Sequence, residues 1–393
     1  MNTNPQRFAI AALCVGVLLP SLGMSIANVA LPALSAAFEA PFTRIQWVVV
    51  AYLLANTVLV VGAGRLGDVL GRRRLLVAGM LVFAAAGLLC GAAPTLGTLV
   101  LARALQGGGA AIMLALSMAM VGETVPKERM GGAMGLLGTM SAVGTAAGPA
   151  VGGALVSWLG WRAVFLAAVP VASLAAFIAW RYLPRDAARA RAGGGGLASM
   201  RAALTTSLGI GLAMSAVVSA VMMATLVVGP FHLTRELGLG LPVVGVVMSI
   251  GPIVAALAGL PAGRLVDRFG PTAMVKAGLA GLVAGSAALC AAPVSWGVAG
   301  YAVPLAVLTA HYALFQAANN TAVMKAIATA ERGVVSGMLN LSRNLGLMAG
   351  ASAMGSLFAA TGIATTFGVA SVLLATALAL AFRSAGNRGL TPV

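Results

Sequence analysis

Apolar stretches of about 20 residues or more follow one another along the whole chain, broken by short segments of glycine, proline and charge. At 1.5 Å per residue, about 20 apolar residues in a helix cross the roughly 30 Å of bilayer hydrocarbon. No water reaches the backbone inside that layer, so only helices and closed barrels span it. The alternating strands of about ten residues that build a barrel are missing. The expected fold class is therefore an all-α membrane protein. The make-up agrees: 60% of the 393 residues are hydrophobic and 8% charged, against roughly 45–50% and 25% in soluble domains.

Taking the breaks as boundaries gives twelve spans, near 8–37, 46–66, 75–93, 97–121, 130–157, 162–183, 205–232, 242–263, 272–292, 297–325, 332–358 and 363–383. The stretch from Phe8 to Phe38 is too long for a signal-peptide core and reads as the first span. A net charge of +16 raises the question of nucleic acid, but the distribution answers it. With the N-terminus inside, one set of breaks holds Arg7, Arg65, Arg72, Arg73, Arg74, Lys127, Arg129, Arg264, Arg268 and Arg332 among others, and the opposite set only Arg44, Arg162 and Arg235. This asymmetry predicts cytoplasmic termini, and a basicity that serves orientation and contact with anionic lipid rather than nucleic acid. The expected place is a bacterial cytoplasmic (inner) membrane. Cys14, Cys90 and Cys290 are scattered within spans, without disulfide or metal spacing. No cofactor or metal is expected, and the chain is expected to act as a monomer.

The chain repeats itself. Gly64-Arg65-Leu66-x-Asp68-x-x-Gly71 returns 199 residues later as Gly263-Arg264-Leu265-x-Asp267-x-x-Gly270, and Leu89-Cys90, Ala93-Pro94 and Glu128-Arg129 are answered by Leu289-Cys290, Ala292-Pro293 and Glu331-Arg332. A duplicated six-helix unit follows, with bundles at 1–184 and 205–393 and a Gly/Arg-rich cytoplasmic linker at 185–204. An even number of helices makes the copies parallel, related by an axis along the membrane normal.

Several stretches carry chemistry that a plain apolar helix does not need. At 64–74, Gly64 and Gly71 permit close backbone approach, Asp68 can accept from neighbouring arginines, and Arg72 to Arg74 can hold anionic headgroups. Gly144, Gly148, Pro149, Gly152 and Gly153 put small residues along one helix for close packing. Arg103 lies roughly 9 Å inside its span, where an arginine costs on the order of 2.5–3.5 kcal/mol and either faces a cavity with a partner or snorkels out; Gln106 follows on its face. Arg343, about 11 residues inside from Arg332 and so near mid-membrane, has Asn340 and Asn344 beside it and can hold a substrate's polar group or a backbone carbonyl. His311, Phe315 and Asn319 form one stripe that Gln316 and Asn320 extend. Histidine is the type that titrates near neutrality, so His311 is a candidate proton carrier, or else a neutral hydrogen-bonded residue. His232, at a helix end, reads as interfacial. Asn28 with Ser25 makes a polar patch in the first span, and Met24, Met113, Met222 and Met223 offer an adaptable apolar surface.

Taken together these stretches resemble the major facilitator superfamily, and within it the drug:proton antiporters. "GRLGDVLGRRR" (64–74) is similar to the family's signature between helices 2 and 3, "LARALQGGGAA" (101–111) to the arginine motif of helix 4, and "GTAAGPAVGG" (144–153) to the antiporter motif of helix 5. "LGMSIANVALP", "WVVVAYLL" and "FQAANNTAVM" resemble the fourteen-helix branch, whose two extra central helices are missing. The resemblance implies a secondary transporter that exports small hydrophobic or amphipathic compounds by alternating access with proton coupling. It gives Arg103 a part in coupling. It makes Gly64, Arg65, Asp68, Gly71, Arg72 and Arg73, with Gly263, Arg264, Asp267 and Gly270, a cytoplasmic gate. It packs the glycines of helix 5 against helix 8, at Gly245, Ser249, Gly251, Pro252 and Gly259.

There is one departure. Where the branch carries an aspartate in helix 1, this chain reads Leu22-Gly23-Met24-Ser25, and all eight acidic residues map to loops or helix ends. Either His311 carries the proton, or the protein is an uncoupled facilitator, or the substrate's own charge supplies the drive. A lining with cations and no acids favours neutral or weakly anionic amphiphiles. A dedicated metabolite exporter and a transport-dead sensor or scaffold are the other readings. Enzymatic function is the least supported, because "QGGGAA" lies inside a span rather than after a strand, where it would cradle a phosphate.

Overall fold

A computed structural model of the chain describes residues 3–126, 130–184, 206–292, 296–325 and 332–386, and these contain helices and no strand. The spans are α1 (Thr3–Ala37), α2 (Trp47–Leu70), α3 (Arg72–Ala92), α4 (Leu96–Thr124), α5 (Met130–Leu159), α6 (Trp161–Leu166 continued by Ala168–Tyr182), α7 (Thr206–Arg235), α8 (Leu241–Phe269), α9 (Pro271–Ala291), α10 (Gly297–Lys325) and α11 (Arg332–Ala349). A π-helical turn, Gly350–Met354, leads from α11 into Gly355–Gly386. The last apolar window, Gly337–Arg383, runs to 47 residues, too long for one crossing. It divides at Gly362, whose φ of 83° and ψ of −177° are not helical; residues 363–386 are α12, and the protein has twelve spans.

The 64–74 segment differs from the expected loop. Nothing between Gly64 and Leu70 breaks a helix, so α2 runs on through the motif and the whole connection to α3 is Gly71, at φ 94°. Gly270 makes the same turn in the second copy, at φ 82°. A residue with a Cβ is strained there. Gly64 and Gly263 face open space, so no close approach explains them.

The described residues fall into two compact units. One lies within Met1–Gly193 together with Gly240–Ser249, the other within Gly194–Leu239 together with Ile250–Val393. The linker expected at 185–204 lies outside the described residues.

In the first unit α5 lies on α1: a Cβ at Gly144 or Gly148 would strike the Leu18 carbonyl or the Ser25 side chain, and one at Gly152 would meet Ile26. In the second unit α11 lies on α7, where Gly346 and Gly350 sit against the carbonyls of Ala216 and Ala220. Gly144 and Gly148 are each 202 residues before their counterparts, so the duplication is legible in the packing as well as in the sequence. The expected role of the helix 5 glycines is thereby corrected: three of the four turn to α1, and Gly153, with the Pro149 carbonyl, meets Gly245 of α8. Gly251 faces Leu305 and Thr309 of α10, and Gly259 faces open space. Met113 and Met223 are fully buried core residues rather than an adaptable surface.

Lipid tails are as apolar as leucine, so the helices are held by close backbone contact rather than by hydrophobic expulsion. Gly346→Ala and Gly148→Ala should lower the melting midpoint of the purified protein in detergent, each by the equivalent of about 1–3 kcal/mol of overpacking. Gly138→Ala, on α5 with nothing within 4 Å of the added carbon, should leave the midpoint unchanged or raise it slightly.

Candidate functional site

Arg103 is the most deeply enclosed charge in the first unit, 1% exposed. Its Nε donates to the Val48 carbonyl of α2 at 3.0 Å, Nη2 to the Gly23 carbonyl of α1 at 3.2 Å, and Nη1 to Gln106 Oε1 of its own helix at 2.7 Å. Its guanidinium carbon lies 4.2 Å from the centroid of the Tyr52 ring, and the Tyr52 hydroxyl donates to the Pro20 carbonyl. A carbonyl already bonded within its helix keeps a second lone pair, so one side chain joins three helices through neutral acceptors and an aromatic face. Gly23 stands where the resemblance leads one to look for an aspartate, and its backbone oxygen takes the bond instead. Asn28 is 1% exposed; its Nδ2 donates to Met24, and Oδ1 has no partner. Ser25 turns from Asn28 to the carbonyls of Ser21 and Gly144.

The second unit contains a cavity of about 250 Å³ between α7, α10 and α11, lined by Ser215, Gln316, Asn320, Met324, Leu339, Asn340 and Arg343. Arg343 Nη2 donates to Asn340 Oδ1 at 3.0 Å, and Gln316 Nε2 donates to the Tyr312 hydroxyl at 3.1 Å. Among the described residues no acidic side chain lines it.

The polar residues of α10 divide between two faces. Gln316 and Asn320 line the cavity; His311 and Phe315 pack on Gly281 and Gly278 of α9, with His311 Nδ1 2.8 Å from the Val307 carbonyl of its own helix. At about 100° per residue, Gln316 and Asn320 stand roughly 140° and 180° around the helix from His311. They continue no stripe with it. The contact of Ile112 with Gly79 of α3 in the first unit is answered by that of Phe315 with Gly278, 199 residues after Gly79, and His311 on Gly281 lies one turn further along the same face. Asn319, 1% exposed, ties α10 to α7 by donating to the Gly211 carbonyl at 3.1 Å. Asn344 is buried outside the cavity lining. Of the predicted site residues, the cavity gathers Gln316, Asn320 and Arg343. Arg103, Gln106 and Asn28 belong to the first unit.

At the end of α2 a charged cluster has formed. Arg72 donates through Nε and Nη2 to Asp68 Oδ1, at 2.9 and 2.7 Å, and through Nη1 to Glu123 Oε1 of α4 at 2.8 Å. Arg73 donates to the Trp180 carbonyl of α6. These arginines bind protein groups, beyond the headgroup contact expected of them. Glu123 is a partner that sequence reasoning passed over; its one signal was an acid at the end of an apolar span on the arginine-rich side. The second copy builds no such cluster: among the described residues no charged group pairs with Asp267. The position 199 residues after Arg72 is Pro271, which has nothing to donate. The side chain of Arg65 lies outside the described residues. His232 is not merely interfacial: it is 8% exposed, its Nδ1 lies 2.7 Å from Glu236 Oε2, and its ring centroid lies 5.9 Å from that of Tyr301.

The sequence profile of the Major Facilitator Superfamily matches residues 13–351 and again 211–390. Riboflavin transporter RibZ of Clostridioides difficile is 34% identical over 173 residues, 44% of this chain and 38% of that protein. Puromycin resistance protein pur8 of Streptomyces alboniger is 41% identical over 192 residues, 48% of this chain and 38% of that one. The chain thus spans well under half the length of these two relatives. The uncharacterized transporter YebQ of Escherichia coli is 29% identical over 406 residues, 88% of each. The crystal structure of a bacterial homolog of the human lysosomal transporter Spinster superposes with a TM-score of 0.80 at 18% identity, over 97% of both chains.

Arg103→Lys keeps the charge but loses the planar fork, and one ammonium cannot reach carbonyls on α1 and α2 and the Gln106 amide together. The variant should lose about 1–3 kcal/mol, the cost of a stranded buried acceptor. A thermal melt in detergent reads this. A midpoint equal to the parent's would show that the three bonds hold nothing.

Proposed function

The chain belongs to the Major Facilitator Superfamily and is a multi-pass membrane transporter rather than an enzyme; from that premise we propose that it exports small hydrophobic or amphipathic compounds across a bacterial cytoplasmic membrane by alternating access, in exchange for protons. The observation that carries this reading is the cavity of the second unit. It combines an apolar wall, Met324 and Leu339, with a polar one, Ser215, Gln316, Asn320, Asn340 and Arg343, as a compound with both characters requires. The small-residue run of α5 supports export through its resemblance to the antiporter motif. The similarity to a puromycin resistance protein supports a drug-like substrate. The excess of lysine and arginine on one set of breaks supports cytoplasmic termini.

The second reading, a dedicated metabolite exporter, is favoured by the similarity to a riboflavin transporter. Competition separates the two: structurally unrelated compounds inhibit one another's transport in a multidrug exporter and not in a dedicated one.

In this reading the proton is carried by a histidine, since the described carboxylates stand at helix ends or beyond them and arginine holds its proton throughout. His311 is the candidate within a span. Proteoliposomes with an imposed pH gradient test the proposal through uptake of a fluorescent amphiphile. The parent should accumulate the dye against its gradient, while His311→Ala should retain downhill flux and lose most of the gradient-driven accumulation. Parent flux that ignores the pH gradient would sink antiport and leave a facilitator. Full accumulation by His311→Ala would place the proton elsewhere, with His232 beside Glu236 the next to replace.

A further inference from the structure

We infer that the cavity of the second unit is a binding site for the carboxylate of an organic monoanion, with Arg343 as its charged anchor. The inference rests on the reading of this cavity as part of the substrate's route.

Its polar side is rich in donors and short of anions. Among the described lining residues Arg343 is the one charged side chain, and no carboxylate there neutralises it. Its partner, Asn340 Oδ1, is neutral and engages Nη2, which leaves Nε and Nη1 without a hydrogen bond among the described residues. With its oxygen so engaged, Asn340 presents its NH₂. Asn320 is exposed in the cavity and Ser215 adds a hydroxyl from the facing helix. Gln316 gives its NH₂ to Tyr312 and keeps a buried oxygen without a partner; exchanging the two ends of that amide would free the nitrogen instead, so one polar atom of Gln316 is unmatched in either assignment. A planar two-oxygen acceptor fits a guanidinium fork flanked by amide donors better than a point charge or a lone hydroxyl does. One cation matches one negative charge, which argues for a carboxylate over a phosphate dianion. Met324 and Leu339 supply the apolar side, so the rest of the ligand is hydrocarbon or aromatic. The volume, about 250 Å³, lies below the roughly 300–1,000 Å³ of pockets that enclose a whole drug-sized ligand. The cavity therefore holds a head group with a small apolar body.

The site is also held in shape. α11 is fixed to α7 by Ser342, whose hydroxyl donates to the Leu212 carbonyl, and by the contacts of Gly346 and Gly350 with Ala216 and Ala220. Asn319 fixes α10 to α7. Arg343 thus stands on a wall braced on both sides, and little ordering is left to oppose binding.

Three probes of one shape separate charge from bulk: 2-naphthoate, 2-naphthamide and 2-naphthylmethylammonium, each titrated into the full-length protein in nanodiscs of zwitterionic lipid. Naphthoate should bind at least about tenfold more tightly than the other two, as a charge-assisted pair implies. Arg343→Gln should erase that advantage, and Arg162→Gln, an arginine of the first unit outside the cavity, should keep it. Asn320→Asp puts a carboxylate into the lining, and should weaken naphthoate and strengthen the ammonium probe, a gain that a misfolded protein cannot show. Equal affinities for the three probes in the parent, an advantage that survives Arg343→Gln, or an Asn320→Asp variant with unchanged preference would each overturn the proposal. Transport is read separately. An anion preference that depends on Arg343 in a protein that moves no amphiphile across proteoliposomes upholds the site and sinks the exporter; gradient-driven transport with no anion preference does the reverse.

Discussion

The hydrocarbon layer takes away the two devices by which a soluble protein holds itself together: water to satisfy stray polar groups, and water to drive apolar surfaces into contact. What remains is close approach. The glycines of this chain lie where helices must nearly touch, Gly144 and Gly148 against α1, Gly346 and Gly350 against α7, Gly107 against the Tyr52 carbonyl and Gly109 against α3. A run such as "QGGGAA" suggests a phosphate cradle only when read apart from its span. In place it lets α4 lie against α2 on one side and α3 on the other, and brings Arg103 within reach of a carbonyl that a larger residue at 107 would push away.

Once backbones are that close, their carbonyls become ligands for side chains. Arg103 shows this most fully, for it draws on two neighbouring helices without any acidic partner. Exporters of cationic compounds that hold their ligand by a buried acid have a natural partner for such an arginine. Here the partial charges of carbonyls, an amide and a ring do that work. Arg103 in the first unit is saturated by its own protein, while among the described residues Arg343 in the second is held by a single neutral amide at the edge of a cavity. Residues of one type, each deep in its span, thus have opposite availabilities, and the difference lies in what the neighbouring helices offer.

The sequence made the helices legible because their signal is local: twelve apolar runs, with ends that agree to within a few residues over most of the chain. The motif at 64–74 was misjudged as a loop because glycine and charge look like a break, although only Gly71 adopts a backbone that a helix cannot. The site was half legible. Polar residues deep in spans were found by their rarity, but their directions were not. His311 and Gln316 are five residues apart and point to different neighbours, a distinction that follows from about 100° per residue once the face toward α9 is known. Glu123 was hidden for another reason. It is 51 residues from Arg72, and no periodicity links two positions that only tertiary structure brings together.

Duplication explains why the two units share a scaffold, and the places where the copies have parted indicate where each has been put to use. The scaffold positions kept their glycines, at 144 and 346, at 148 and 350, and at the turns 71 and 270. The charged positions did not persist. Arg72 is answered by Pro271, so the first copy ties α2, α3 and α4 together by ion pairs, and among the described residues the second gives Asp267 none. A proline at the first turn of a helix lacks only an N–H that had no partner there, so the substitution leaves α9 intact while removing the donor. Glycines that set helix spacing cannot change without moving a backbone, whereas a surface ion pair contributes about 0–1 kcal/mol and can be lost from one copy without loss of the fold. The same reasoning applies to the face that α10 turns to α9. Where α4 packs on α3 and α10 on α9, the copies share a hydrocarbon on the equivalent glycine, Ile112 on Gly79 and Phe315 on Gly278, and the second copy adds His311 on Gly281, which stands 199 residues after Val82, so the packing role is common to both and any proton chemistry of that ring belongs to the second alone.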